Sequence, residues 1–267
     1  MVVENSVIVP AYHEHDNIRP LTTRLFAALD ADAATASGST ELIFVDDNSK
    51  DGSVEEVEKL KGEGFNVSII VRTAERGLSS AVLKGFVDAH GKYLVCMDAD
   101  LQHPPERVPA ILHKLRNSAF VLGTRYAPGV EMDKDWPLVR RIISAGARFL
   151  ARPLTSASDP MSGFFGIQKE YVMNATDSVN AQGFKIALDL LIKAKIPSSA
   201  VAEVPFSFGV RTVGESKLTG KVMVFYIDQL RELYLYKFGA AKITAFMIAV
   251  LVLMVLLAYA LFTQIVL

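Results

Sequence analysis

Along the first half of the chain, apolar residues come in short unbroken runs rich in β-branched side chains. Longer stretches with helical periodicity separate them. The runs predict strands at Ser6–Val9, Glu41–Val45, Val67–Val71, Tyr93–Met97 and Phe120–Gly123. Helices are expected between them at Asn17–Ala31, Ser53–Lys61, Ser79–Ala89 and Glu106–Asn117. Strands that are apolar at every position belong to a mostly parallel sheet covered by helices on both faces. Ala31–Ser39 is small and polar and predicts a flexible loop. Beyond Arg125 the pattern loosens into a Pro/Gly-marked loop, a helical stretch at Trp136–Leu154 and a mixed region. Leu218–Phe238 again predicts a helix.

The C-terminus changes the picture. Ile243–Leu267 contains no charged residue, and a bilayer-crossing helix needs about 20 apolar residues. A core helix is rarely apolar all round for so long, so this stretch predicts one transmembrane helix. Met1–Asn5 lacks the cationic start of a signal peptide, which leaves the preceding residues in the cytosol. Arg231, Lys237 and Lys242 before the segment, with no charge after it, give the same orientation. The expected organisation is a cytosolic domain over residues 1–220, with an acceptor loop and interface helix at 126–160. A juxtamembrane helix at 221–242 and the membrane helix at 243–267 follow.

Composition narrows the function. A chain of 267 residues suffices for one sizeable domain with an appendage. A net charge of −1 offers no field for nucleic acid, which is excluded as a partner. The single cysteine, Cys96, forms no intrachain disulfide.

The chemistry falls at the carboxyl ends of the predicted strands, where open α/β sheets bind ligands. These ends read Pro10-Ala11-Tyr12-His13-Glu14, Asp46-Asp47-Asn48-Ser49, Asp98-Ala99-Asp100-Leu101-Gln102 and Gly123-Thr124-Arg125. Asp98 and Asp100, one residue apart at a strand end, can both turn toward a hard cation, Mg²⁺ or Mn²⁺, with the Gln102 amide adding to the shell. Such a cation neutralises charge on a departing diphosphate. Neither a G-x-G-x-x-G after the first strand nor a G-x-x-x-x-G-K-S/T is present, which disfavours a dinucleotide or ATP. Arg211 and Lys217, in a glycine-flanked loop, are suitable cations for the phosphates. His13 and His15 lack further ligands at metal spacing and read as loop residues.

On a helical wheel, Trp136–Leu154 gathers Arg141, Arg148 and Arg152 in one stripe. Leu138, Val139, Ile142, Ile143, Phe149 and Leu150 lie opposite. The pattern fits a helix in the membrane interface, and equally a helix packed on the core with its arginines in solvent. The C-terminal anchor tips the reading toward the membrane. Arg125, Arg140 and Ser144 can then grip an anionic headgroup. A phosphate monoester has its second pKa near 6, so such an acceptor is already ionised at pH 7 and needs no general base.

The segments SVIVPAYHE, FVDDNSKDGS, RGLSSAVLKGF, CMDADLQHPPE, LGTRYAPG, DPMSGFFG and FGVRTVGESKLTGK together resemble the dolichol-phosphate mannosyltransferases, family-2 enzymes of GT-A (Rossmann-like) fold. A single C-terminal membrane helix is similar to the one-subunit fungal form, which implies no obligate accessory subunit. The resemblance implies transfer of mannose from GDP-mannose to dolichyl phosphate, with inversion, on the cytosolic face of the endoplasmic reticulum. By motif, Pro10, Tyr12, Glu14, Val45 and Asp47 would frame the guanosine. Asp98, Ala99, Asp100 and Gln102 would hold metal and diphosphate, with Arg211 and Lys217 on the phosphates. Arg125, Arg140 and Ser144 would meet the acceptor phosphate. Two alternatives remain: a UDP-glucose-dependent dolichyl-phosphate glucosyltransferase, and a tail-anchored scaffold without activity.

Overall fold

The computed structural model describes residues 2–32, 37–127, 130, 138–181, 185–207 and 220–266. In residues 37, 138–140, 220–222 and 257–266 it describes the backbone alone. Residues 33–36 of the expected Ala31–Ser39 loop and part of the 126–160 loop therefore lie outside the described residues.

Seven strands form one sheet. They are β1 (Asn5–Ala11), β2 (Thr40–Asp46), β3 (Val67–Val71), β4 (Tyr93–Cys96), β5 (Phe120–Thr124), β6 (Phe165–Gln168) and β7 (Val201–Pro205), in the order β3-β2-β1-β4-β6-β5-β7. β6 runs antiparallel to both neighbours, and the other pairings are parallel. The carboxyl ends of β1, β2, β4 and β5 therefore share one edge, and β6 starts from that edge.

The unbroken apolar runs reflect burial on both faces. Val7, Val9, Leu42, Phe44, Val95 and Val121 point into one core. There they meet α1 (His15–Asp30), α2 (Ser53–Gly62) and α4 (Val108–Leu115) through Leu21, Leu25, Val57, Leu60, Ile111 and Leu115. Ile8, Ile43, Val45, Leu94, Cys96, Phe120 and Leu122 point into the other. They pack on α3 (Leu78–Asp88), α6 (Lys169–Ala175) and α7 (Ile186–Lys193). Gly85 allows α3 to settle onto the sheet, since a Cβ there would lie 2.5 Å from Ile8 Cγ2 and 3.0 Å from Val45 Cγ2.

Two strands lie beyond the five expected. β6 has four residues and β7 carries Glu203 at its centre. Neither has the long apolar run that marks the others. β6 also pairs with β4, Phe165 lying opposite Cys96 from 69 residues earlier, by inserting between β4 and β5.

A third apolar cluster joins α5 (Leu138–Ala151), α7 and α8 (Gly220–Phe238) through Ala151, Leu154, Leu188, Leu230 and Leu233. Helix α8 ends one residue before Gly239, whose φ of +78° suits a residue without Cβ. The chain then re-enters a helix, α9 (Ala240–Val266). The helix break thus falls before Lys242. Among the described residues no single helix is long and apolar enough to cross a membrane. Met223–Phe238 and Ala240–Leu256 would suffice together, and they meet at 106°.

Candidate active site

β4 delivers Asp98 and Asp100 to the shared edge in different states. The Asp98 side chain is 41% exposed. Asp100 is buried, and its Oδ1 accepts the Gln102 N–H at 3.1 Å. That bond folds the loop back on itself, with Leu101 at φ +62°. The Asp98 N–H donates to His103 Nδ1 at 3.0 Å, so the other ring nitrogen carries the proton. The His103 ring stacks on Phe164 (centroids 5.2 Å) and meets the edge of Phe206 (5.6 Å). Burial pushes the imidazole pKa down against the pull of Asp98 and Asp100, which keeps it neutral at pH 7. Gly163 completes the floor: a Cβ there would sit 3.4 Å from the His103 ring and 3.6 Å from Asp98 Oδ1.

Among the described residues no group of three or more His, Cys, Asp or Glu converges on one point. Two carboxylates and the nearby Gln102 amide make a small all-oxygen donor set. That fits Mg²⁺ or Mn²⁺, which take the rest of their shell from water and substrate phosphates. It does not fit the closed nitrogen and sulfur cage of a structural zinc. The H-x-H residues stay apart from the pair: His13 N–H bonds Ser49 Oγ, and His15 Nδ1 lies 3.0 Å from Asp16.

On the β1–β2 side, Pro10 and Tyr12 lie at the strand end, and Tyr12 keeps an exposed ring with the Arg76 guanidinium 5.3 Å from its centroid. Glu14 Oε2 accepts from Asn17 at 2.7 Å. The Val45 side chain is wholly buried beneath α3, and Ala99 packs in the opposite core, so each offers a ligand only its backbone. Asp47 is already engaged. Arg72, at the end of β3, donates Nε to its Oδ1 at 2.8 Å, and the Gly77 N–H reaches its Oδ2 at 2.8 Å. Arg72 also donates to Ser80 Oγ at 2.8 Å, tying β2, β3 and the start of α3 together.

On the β5 side, Arg125 forks onto Asp159, with Nε to Oδ2 at 2.7 Å and Nη2 to Oδ1 at 2.9 Å. Asp159 is fully buried. Ser144, on α5, shares a 3.0 Å hydrogen bond with the Tyr126 hydroxyl, and the Arg148 guanidinium lies 3.9 Å from the Tyr126 ring centre. Arg125, Tyr126 and Ser144 are therefore brought together. The side chain of Arg140, and Arg211 and Lys217 entirely, lie outside the described residues.

The orientation of α5 is the reverse of a helix packed by its apolar face. Ala151 and Ala147 face the protein, and the Tyr226 hydroxyl donates to the Ala147 carbonyl at 2.7 Å. Ile142 and Phe149 face outward at 62% and 75% exposure. Val224 and Ile227 of α8 are exposed as well.

Four residues of this edge carried no role in the sequence reading: Arg72, His103, Asp159 and Lys185. Asp159 and His103 stand within the motifs DPMSGFFG and CMDADLQHPPE, which was their only signal. Lys185 directly precedes α7 and donates to the Met161 carbonyl at 3.1 Å.

Residues 6–174 match the model of glycosyl transferase family 2. The chain belongs to that family. It is 64% identical over 250 residues to the dolichol-phosphate mannosyltransferase of Saccharomyces cerevisiae, covering 92% of each chain. It is 62% identical over 249 residues to that of Mycosarcoma maydis, covering 93% of this chain and 85% of the relative. With the Pyrococcus furiosus dolichol-phosphate mannosyltransferase it shares 40% over 248 residues, 91% of this chain and 67% of the relative. Among solved structures, glucosyl-3-phosphoglycerate synthase from Mycobacterium tuberculosis with Mn²⁺, UDP-glucose and phosphoglyceric acid superposes with a TM-score of 0.59. That match is at 20% identity and covers 88% of this chain and 79% of that one. The fold is thus GT-A, as expected, and the chain is a glycosyltransferase.

Proposed function

We propose that this enzyme transfers mannose from GDP-mannose to dolichyl phosphate, with inversion at the sugar, releasing GDP and dolichyl β-D-mannosyl phosphate. The observation that carries this reading is the identity of 64% and 62%, over more than nine-tenths of the chain, to fungal enzymes named for dolichol-phosphate mannosyl transfer. The site's chemistry supports it. Asp98 and Asp100, with Gln102, would hold Mg²⁺ or Mn²⁺. When bound, that ion offsets charge on the departing diphosphate. His103 fixes the backbone of Asp98 through its N–H, and Gly163 leaves the carboxylate open toward the edge. Arg211 and Lys217 are proposed to reach the same phosphates.

Across the edge, Arg125, Arg140 and Ser144 would position the acceptor phosphate. An ionised phosphate attacks without prior deprotonation, so this side must orient it and balance its charge. The outward apolar face of α5 beside that site suits a lipid acceptor presented from a bilayer. α9, meeting α8 at 106°, would enter the same bilayer while α8 lies along it. The enzyme would thus sit on the endoplasmic reticulum membrane, its catalytic domain in the cytosol. There it would supply mannose for N-glycosylation, O-mannosylation and GPI-anchor synthesis, with no accessory subunit required.

The test is direct. Purified full-length protein with GDP-mannose, Mg²⁺ and a polyprenyl phosphate should form the mannosylated lipid, and chelation should stop it. No product with either Mg²⁺ or Mn²⁺ would favour an inactive scaffold.

A further inference from the structure

We infer that Lys185 is a phosphate-binding residue of this site, holding anionic oxygens of the acceptor phosphate; the inference rests on the proposed lipid-phosphate acceptor. Asp98 and Asp100 form the oxygen donor set for the cation. Arg125 is matched by the bidentate contact of the fully buried Asp159. Lys185 stands among these groups without an ion-pair partner among the described residues, and its ammonium makes one hydrogen bond, to Met161. An ammonium has three donors. A cation half-shielded from water and left without an anion is costly.

Position gives the same answer. Met161 belongs to the loop from Asp159 to Phe164. That loop also supplies the Arg125 partner and lays Gly163 against Asp98. The Lys185 ammonium is thus held by the segment that joins the Arg125 pair to the Asp98 loop. Its backbone is fixed as well: the Lys185 carbonyl accepts from the Asp189 N–H at 3.1 Å and from Gln229 Nε2 at 3.1 Å. Burial, with Arg125 nearby, pulls the ammonium pKa below the usual lysine value, and Asp98 and Asp159 oppose that pull. A phosphate entering beside Arg125 would supply the missing anion. Its second negative charge needs a cation that Arg125, already neutralised by Asp159, does not provide.

The experiment measures binding of farnesyl phosphate to full-length protein loaded with Mg²⁺ and GDP, by calorimetry, alongside GDP-mannose binding and thermal melting. Lys185→Met should weaken farnesyl phosphate by at least about tenfold, the scale of one lost charge-assisted hydrogen bond. GDP-mannose affinity should stay within about twofold. Melting should hold or rise, because a half-buried charge without an ion-pair partner has been removed. Lys185→Arg should recover part of the acceptor affinity. Unchanged farnesyl phosphate binding by Lys185→Met would overturn the inference. So would a loss confined to GDP-mannose, or failure of both variants to fold, which would make the residue structural. Wild-type protein that binds no farnesyl phosphate would overturn both this inference and the proposed acceptor. Wild-type protein that binds it but transfers glucose would sink only the proposed donor, while the variant comparison still decides Lys185.

Discussion

Each flank of the candidate edge is built on a buried arginine–aspartate pair, and the two pairs are made differently. Beside β2, the acid comes from the strand end and the arginine from 25 residues later: Asp47 accepts from Arg72, whose side chain is 3% exposed. Arg72 has further acceptors in Ser80 and Gly77, so this pair is one knot in a network that fixes the start of α3. Beside β5 the roles reverse. The arginine comes from the strand end and the acid, Asp159, from a loop 34 residues on. The carboxylate there meets Arg125 on both oxygens and its backbone N–H as well. The first pair fixes the turn into α3, whereas the second holds a cation next to Tyr126, which meets Ser144 and Arg148 of a helix with an exposed apolar face. A donor that is soluble and an acceptor that arrives from a membrane would call for that difference.

Breaking the second pair should have the largest effect. Asp159→Ala leaves the Arg125 charge buried without its carboxylate, which costs about 3–5 kcal/mol in denaturant unfolding, and should raise KM for the lipid phosphate before that for the sugar nucleotide. Asp47→Ala should instead raise KM for the sugar nucleotide. If both variants moved the same KM, the contrast between the flanks would fail. Next comes Asp100→Ala, which should lower kcat by at least about 10²-fold, the scale of losing a preorganised electrostatic contact. Near-normal turnover would remove Asp100 from the site.

A smaller effect is expected at the apolar face. Ile142→Ser with Phe149→Ser should change folding stability by no more than about 0.5 kcal/mol per site, as exposed positions do, yet reduce activity on vesicle-borne acceptor relative to detergent-dispersed acceptor. Equal losses in both assays would mean that the face does not meet lipid. The smallest effect lies at the opposite end of the sheet. Burial favours the neutral form of Glu41, but hydrogen bonds from Ser6 and His90 outweigh it and hold the carboxyl below its usual pKa. A carboxyl depressed in the native state contributes stability above its unfolded pKa and loses it as pH falls through the native value. Glu41→Gln should therefore flatten the acid limb of the stability profile below about pH 4.5 and leave turnover at pH 7 unchanged.

How far the sequence alone reaches follows from the same contrast. β1, β2, β4, β5 and the helices between them were legible because these strands are covered on both faces, which writes an unbroken apolar run into the chain, and the half-exposed edge strand β3 carries a β-branched run of its own. The edge cluster followed, since a parallel sheet brings its strand ends together. β6 and β7 were not legible. One is a four-residue antiparallel insertion and the other carries Glu203, whose carboxylate is drawn to Ser158 at 2.6 and 2.7 Å. Each strand-end motif likewise showed one member of its ion pair, Asp47 or Arg125. The partner comes from a distant segment that no local spacing connects to it. His103 was hidden for another reason. Its ring reads as a loop histidine until the stacking on Phe164 and the bond from the Asp98 N–H are seen. For the helix at 138–151, periodicity gave the apolar stripe but not its direction. Tyr226 and Tyr234, reaching from α8 to the Ala147 and Leu150 carbonyls, help hold the inner face inward.

The central claim is mannosyl transfer to a lipid phosphate, and a donor competition tests it most directly. Full-length protein would be given equal GDP-mannose and UDP-glucose with Mg²⁺ and one polyprenyl phosphate, and the glycolipid analysed by mass spectrometry and sugar composition. The account predicts polyprenyl phosphate mannose with little glucose incorporated. Preferential formation of the glucosyl lipid would contradict it.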